Sequence, residues 1–181
     1  FGTNWQRAKA VAVKAVLLST IGVIITCFLT GLFCHFALNM SWEISLLLGA
    51  LISSTDAASV FSILRSKKLN LKYNTASLLE VESGSNDPCA YMLTVAFIAI
   101  SQGSVSAGNI AILIVKQLAF GILFGALIAK LSIILLRYIR FKSAGFDAIF
   151  MVGIALISYA LPAYFDGNGF LSAYIVGIIL G

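Results

Sequence analysis

A series of long apolar segments is the feature that most constrains this chain. Five of them are long enough to cross a bilayer, at about residues 11–36, 44–64, 75–100, 110–138 and 146–165, and a sixth, truncated segment covers 170–181. Backbone polar groups inside lipid must form hydrogen bonds within their own segment, so segments of this kind are helical. The pattern therefore predicts an all-α polytopic membrane protein made of one transmembrane fragment.

Composition supports this class and excludes others. Hydrophobic residues make up 60% of the chain and charged residues 10%, whereas about a quarter of the residues in a soluble domain are charged. The net charge of +5 could suggest a nucleic-acid partner, but the basic residues sit in short clusters between apolar segments. We therefore expect a lipid bilayer around the chain, no nucleic-acid partner and no cofactor. The chain also reads as an internal piece of a longer protein, because it opens on Phe1 without a targeting signal.

Basic residues occur in every second connection, which predicts the orientation. The connections between segments 1 and 2, between 3 and 4 and between 5 and 6 contain no Lys or Arg. Cytoplasmic loops accumulate Lys and Arg, so the basic connections are predicted to lie in the cytoplasm. The basic clusters are Arg7, Lys9 and Lys14; Arg65, Lys67, Lys68 and Lys72; and Arg137, Arg140 and Lys142.

Polar residues interrupt the second segment about halfway along. Ser53, Ser54, Thr55 and Asp56 follow one another there, and all four prefer a helix N-cap to a helix interior. We expect a discontinuous helix broken near 54–56, with free carbonyls that can bind a cation and with Asp56 offsetting the positive end of the following half-helix. A continuous helix with Asp56 in a structural hydrogen bond is the alternative.

The third segment carries carboxylates, which are costly at bilayer depth and usually have a function. Helical spacing places Glu82 with Asn86, and Ser83 with Asp87, on adjoining stripes of one face. Asp87 lies roughly 20 Å along this helix at about 1.5 Å per residue, close to the middle of the bilayer. Pro88 removes the amide that would bond the carbonyl of residue 84, which leaves a free acceptor near Asp87.

These oxygen atoms predict a site for a monovalent cation at Asp87, Ser83 and Thr55, because hard cations take oxygen ligands. Burial favours the protonated form of a carboxylate and a bound cation favours the ionised form, so proton and cation can compete for one group. One alternative is a polar cluster that only holds helices together. Another is an intramembrane aspartyl protease using Asp56 and Asp87, although Gly-Ser-Asn precedes the second Asp where such enzymes have Gly-x-Gly.

Two motifs in this order resemble the sodium/hydrogen exchanger family, in its cation/proton antiporter-1 branch with an Asn-Asp pair. They are residues 54–58 (Ser-Thr-Asp-Ala-Ala) and 82–88 (Glu-Ser-Gly-Ser-Asn-Asp-Pro). The similarity extends over nearly the whole chain, including 167–171, and Gly-Ser before the Asn-Asp pair looks closest to bacterial potassium/proton antiporters. The chain is accordingly predicted to be a transporter and not an enzyme, with transport of another solute on a related fold as an alternative.

The resemblance implies an inverted-repeat fold, a core domain that moves against a dimerisation domain, and a homodimer of the full-length protein in the cell membrane, the inner membrane in bacteria. It implies exchange of K⁺ or Na⁺ for a proton. Because Asn86 is neutral and Asp87 would be the carboxylate that both titrates and binds the ion, we expect the exchange to be electroneutral. By motif position Asp87 would bind the ion and the proton, Ser83 would be a side-chain ligand and Thr55 a main-chain ligand. Asp56, Glu82 and Asn86 would support them, the last two by binding an arginine of the second repeat, which this chain lacks.

Overall fold

The structure is a computed structural model that describes residues 5–67, 71–72, 75–103, 107–138 and 145–181. Lys68, Arg140 and Lys142, which contribute to the orientation prediction, lie outside these ranges. Every regular element in the described ranges is helical, so the predicted all-α class is confirmed. The α-helices are Trp5–Leu17 (α1), Val23–Leu38 (α2), Trp42–Ile52 (α3), Ala57–Ser66 (α4), Thr75–Ser101 (α5), Ala107–Tyr138 (α6), Phe146–Tyr164 (α7) and Gly169–Leu180 (α8).

A π-helical turn at Leu18–Gly22 joins α1 to α2, so the two form one continuous rod. The hydroxyl of Thr20 donates to the carbonyl of Val16 at 2.6 Å inside this turn. Within the described ranges, two helices are long and apolar enough to cross a membrane, Lys9–Leu38 and Gly108–Tyr138. The 27 residues of α5 would also reach across about 30 Å of hydrocarbon at roughly 1.5 Å per residue, but the sequence of this continuous helix contains the carboxylates of Glu80, Glu82 and Asp87.

The chain forms two compact units, residues 2–107 and residues 108–181. In the first unit, α2 and α3 pack as a hairpin whose turn begins at Asn39, which has a left-handed φ of 52°. Small residues bring the two helices close together: a Cβ added to Gly49 would overlap the carbonyl group of Cys27, and one added to Gly31 would lie 3.0 Å from Leu46 Cδ2. The α2–α3 hairpin therefore depends on backbone-to-backbone contact.

In the second unit, the turn between α7 and α8 is attached to α6. The amide of Asn168 donates to the carbonyl of Gln117 at 3.1 Å, and the Asn168 side chain caps α8 by accepting from the Leu171 amide at 2.9 Å. Gly121 allows this approach, since a Cβ there would lie 2.9 Å from the Asn168 carbonyl oxygen. The buried apolar core of this unit consists of Ile128, Ala129, Ile154 and Val176.

Two helices occupy the place of the second predicted segment. Helix α3 ends at Ile52 and α4 begins at Ala57, and residues 54–56 have no regular structure. Ser53 stabilises the C-terminal end of α3, because its hydroxyl donates a hydrogen bond to the carbonyl of Ala50 at 2.7 Å. The 11 residues of α3 extend for about 16 Å, roughly half the hydrocarbon thickness. The non-helical residues thus separate two half-length helices, and α3 and α4 both pack against α5.

Candidate cation-binding site

The break between α3 and α4 faces the middle of α5 through the carbonyl oxygen of Thr55. This oxygen accepts a hydrogen bond of 2.9 Å from the Ser83 hydroxyl and one of 3.1 Å from the Asn86 side-chain amide. Thr55 precedes α4 by two residues, so its carbonyl lies outside the hydrogen-bonding pattern of that helix. Two side chains of α5 are bonded to a main-chain oxygen that the break exposes.

Asp87 is bonded to the same break. Its Oδ1 accepts a hydrogen bond from the hydroxyl of Ser54, 33 residues earlier in the chain. The Asp87 side chain is exposed, whereas its neighbours Asn86 and Pro88 on α5 are buried. The carboxylate is therefore accessible while the helix that carries it is packed.

Asn86 is the most buried polar group of this junction, with 0% of its surface exposed. Besides the Thr55 carbonyl, its amide Nδ2 contacts the Thr55 hydroxyl at 2.6 Å and Glu82 Oε1 at 3.2 Å. The Thr55 hydroxyl in turn donates to Glu82 Oε1 at 3.3 Å. These contacts fix Thr55 against one turn of α5. The side-chain oxygen of Asn86, Oδ1, is also buried, and it has no hydrogen-bond partner among the described residues.

Asp56 lies at the start of α4. Its Oδ2 accepts a hydrogen bond from the hydroxyl of Ser59, three residues later in the chain, at 2.8 Å. A carboxylate in this position offsets the positive end of the helix dipole. Asp56 and Asp87 are thus each bonded to a different serine hydroxyl.

The six residues singled out in the sequence all lie at this junction, three of them in direct contact with Thr55 or its hydroxyl. From the sequence, Ser54 was placed in the break and in the first motif but was given no contact of its own; in the structure its hydroxyl contacts Asp87. Its position inside the break, one residue before Thr55, was the available signal. Carboxylate, hydroxyl and carbonyl oxygens are the donor types that a hard monovalent cation takes. At this junction, oxygen atoms of these types belong to Asp87, Ser54, Ser83 and the main chain of Thr55.

Comparison with known proteins decides the family. Residues 1–181 match the family described as sodium/hydrogen exchanger, transmembrane. The chain belongs to this family. It is 37% identical to the K(+)/H(+) antiporter NhaP of Alkalimonas amylolytica over 180 residues, which are 99% of this chain and 31% of that protein.

Two further relatives have sequence identities of 38% and 25% to the chain. The chain is 38% identical over 174 residues to the K(+)/H(+) antiporter NhaP2 of Shewanella oneidensis, covering 92% of the chain and 29% of the relative. It is 25% identical over 190 residues to the probable Na(+)/H(+) antiporter 2 of Methanocaldococcus jannaschii, covering 100% of the chain and 44% of the relative. The chain spans about a third of the length of the first two curated relatives.

Membership confirms the family recognised from the two motifs and places the chain among multi-pass membrane transporters. It sets aside the intramembrane aspartyl protease, because the family consists of exchangers and not of enzymes.

Proposed function

We propose that this chain forms the ion-binding part of an antiporter that exchanges K⁺ for a proton. The observation that carries the proposal is the contact between the broken helix and α5, where Ser54 is bonded to Asp87 and Ser83 is bonded to the Thr55 carbonyl. These contacts bring a serine hydroxyl to the exposed carboxylate of Asp87 and attach the helix that carries Asp87 to a main-chain oxygen of the break. The choice of K⁺ is supported by the relatives at 37% and 38% identity, which are named as potassium/proton antiporters.

Asp87 is the group for which the two substrates compete. Its ionised carboxylate binds either a proton or a monovalent cation, and each occupant favours the state that excludes the other. The Ser83 hydroxyl, now donating to Thr55, has lone pairs that it can turn toward a cation, and the Thr55 carbonyl supplies a further oxygen. Alternate exposure of this site to the two membrane faces then couples the two fluxes.

Asp56, Glu82 and Asn86 act as supporting residues. Asn86 and Glu82 hold Thr55 in place through its carbonyl and hydroxyl groups. Asn86 is neutral, so it adds no second titrating charge beside Asp87. With one titrating carboxylate at the ion, each half-cycle carries one proton or one monovalent cation, and the exchange is electroneutral.

The wider architecture follows from the resemblance. An inverted-repeat fold would place the broken helix at the repeat interface near the bilayer midplane. We include in the proposal a homodimer of the full-length protein in the cell membrane, the inner membrane in bacteria.

The test uses the protein produced at full length in vesicles that lack other antiporters. A K⁺ pulse should collapse an imposed proton gradient, and an equal Na⁺ pulse should do so less effectively. Asp87→Asn should abolish the response. Ser85→Ala is the matched control on α5, because the Ser85 hydroxyl donates to the Val81 carbonyl of its own helix at 2.7 Å, and it should respond like the wild type. Full exchange by Asp87→Asn would refute the proposal.

A further inference from the structure

We infer that the C-terminal half of α6 binds the phosphate headgroup of an anionic phospholipid between Lys130 and Arg137. None of the residues of the proposed cation site takes part, so the inference goes beyond the proposed function and does not depend on it. Its basis is that these two basic side chains lie on one exposed face of α6 and form no ion pair with a described residue.

Lys130 and Arg137 project from the same side of α6. They are seven residues apart in an uninterrupted helix, which is nearly two full turns, so they lie about 10 Å apart along one face. Gly121 and Gly125, which contact α8, lie on the other side of the helix. The basic pair therefore faces away from the packed side of α6.

The depth of Lys130 follows from the charged and aromatic residues at the two ends of the span. Lys116 forms an ion pair of 2.8 Å with Asp166, and Arg137 is followed by Tyr138, which is 84% exposed. Lys116 and Arg137 are about 31 Å apart along α6 at roughly 1.5 Å per residue, which matches the hydrocarbon thickness. Lys130 then lies about 10 Å inside the hydrocarbon from the Arg137 end.

A phosphate group placed between the two side chains would neutralise both. A charge at this depth is costly unless it has a partner or reaches the interface, and long basic side chains extend toward the nearer interface. For Lys130 this means turning toward Arg137. Because Cα–Cβ bonds in a helix tilt toward its N-terminus, Arg137 leans toward Lys130. The ammonium and guanidinium groups thus converge, and phosphate oxygens accept charge-assisted hydrogen bonds from both.

This part of the chain has an excess of positive charge. Residues 108–181 contain five basic and two acidic residues, and Asp166 is already bonded to Lys116. The basic connection that follows α6 is predicted to lie in the cytoplasm. Anionic headgroups of the cytoplasmic leaflet attract basic residues at that depth, so they are the complementary anions.

The surroundings of the pair favour a lipid over a soluble anion. Leu123, Leu127 and Ile134 are exposed on the same side of α6 as Lys130, with 50%, 47% and 44% of their surfaces accessible. Aliphatic side chains of this kind suit acyl chains, and an exposed tyrosine at the helix end suits the headgroup region. A phospholipid matches the basic and the apolar parts of this face, whereas a free phosphate ion matches only the basic part.

The experiment titrates the detergent-purified full-length protein with anionic phosphatidylglycerol and with zwitterionic phosphatidylcholine, and measures bound lipid by native mass spectrometry. The wild type should bind phosphatidylglycerol more tightly. Lys130→Gln and Arg137→Gln should each weaken the tightest binding of phosphatidylglycerol about fivefold, because each removes one cation that faces the phosphate. Binding of phosphatidylcholine should stay the same.

Lys116→Gln is the matched control. It makes the same change of charge on the same helix, but Lys116 is paired with Asp166 at the other end of the span, so the affinity for phosphatidylglycerol should stay at the wild-type value. Lys130→Arg keeps the charge and should keep most of the affinity. If Lys130→Gln does not fold, Arg137→Gln provides the test, because residue 137 lies in the last turn of α6.

Three results would overturn the inference. One is equal affinity of the wild type for the two lipids, or a loss in Lys116→Gln as large as in the other variants. Another is displacement of phosphatidylglycerol by an equal concentration of inorganic phosphate, which would identify a site for a soluble anion. The third is a Lys130→Gln variant with wild-type affinity for phosphatidylglycerol but a lower unfolding temperature without lipid, which would identify a protein carboxylate as the partner.

Discussion

The hydroxyl of Ser83 lies 2.9 Å from the carbonyl oxygen of Thr55 and donates a hydrogen bond to it across 28 residues of sequence. The carbonyl belongs to the non-helical residues between α3 and α4, and the hydroxyl belongs to the uninterrupted helix α5. A cation that binds at Asp87 would take over both oxygens, since the Ser83 hydrogen must then turn away from Thr55. The two atoms that hold the break against α5 would, under the proposed function, also be ligands of the cation.

Ser83→Ala should weaken cation binding without abolishing exchange. It removes one oxygen ligand of the ion, and the loss of a contact worth about 1 kcal/mol in the bound state should raise the apparent KM for K⁺ roughly fivefold. Ser85→Ala removes a hydroxyl two residues away that is bonded within its own helix. The KM of both variants, determined in proteoliposomes at one pH, checks this prediction. Equal KM values for the two variants would show that Ser83 does not contact the ion.

Gly49→Ala should destabilise the α2–α3 hairpin. The added Cβ would overlap the carbonyl group of Cys27, and overpacking of this kind costs about 1–3 kcal/mol. Gly153→Ala is the control, because a Cβ at Gly153 has nothing within 4 Å and helix propensity favours Ala by roughly 1 kcal/mol. Thermal unfolding of the detergent-purified protein should show a lower midpoint for Gly49→Ala only. A lowered midpoint in both variants, or in neither, would contradict the close packing.

The helical class could be predicted from the sequence because apolar length and the spacing of basic loops are properties of whole segments. Four consecutive cap-preferring residues also indicated an interruption, and the structure ends α3 at Ile52 and begins α4 at Ala57. Two features could not be predicted. The π-turn at Leu18–Gly22 contains Ser19, Thr20 and Gly22, but residues of these types also occur in regular membrane helices and so did not mark the turn. The direction of the Ser54 hydroxyl depends on which face of α5 meets the break, a tertiary contact that no local pattern encodes.

The orientation of the helices is a separate prediction. Because Lys67 and Lys72 lie in a basic connection, the residues after α4 should face the cytoplasm, and the turn after α5 should face the opposite side. Ser66 and Gln102 are exposed at these two ends. In a variant without native cysteines, Ser66→Cys should react with an impermeant maleimide only in inside-out vesicles, and Gln102→Cys only in intact cells. Labelling of Ser66→Cys from outside would reverse the assigned topology.

Exchange should carry no net charge. If Asp87 alone titrates and binds the ion, the transport rate should not respond to a membrane potential, which acts at about 2.3 kcal/mol per elementary charge per 100 mV. Imposing a potential with an ionophore in proteoliposomes tests this. Glu82→Gln should keep one-for-one coupling, because Glu82 is bonded to Thr55 and Asn86 as a supporting group. A rate that scales with the potential would mean that a second proton moves.

The central claim is that one carboxylate, Asp87, binds the proton and the cation in turn. Its most direct test is the initial exchange rate of the full-length protein, measured against K⁺ concentration at several pH values with and without Asp87→Asn. The account predicts simple competition: the apparent KM for K⁺ rises about tenfold for each unit of acidification below the titration of the site, the maximal rate at saturating K⁺ stays constant, and Asp87→Asn shows no exchange. A maximal rate that falls with pH at unchanged KM would contradict it, because proton and cation would then occupy different groups.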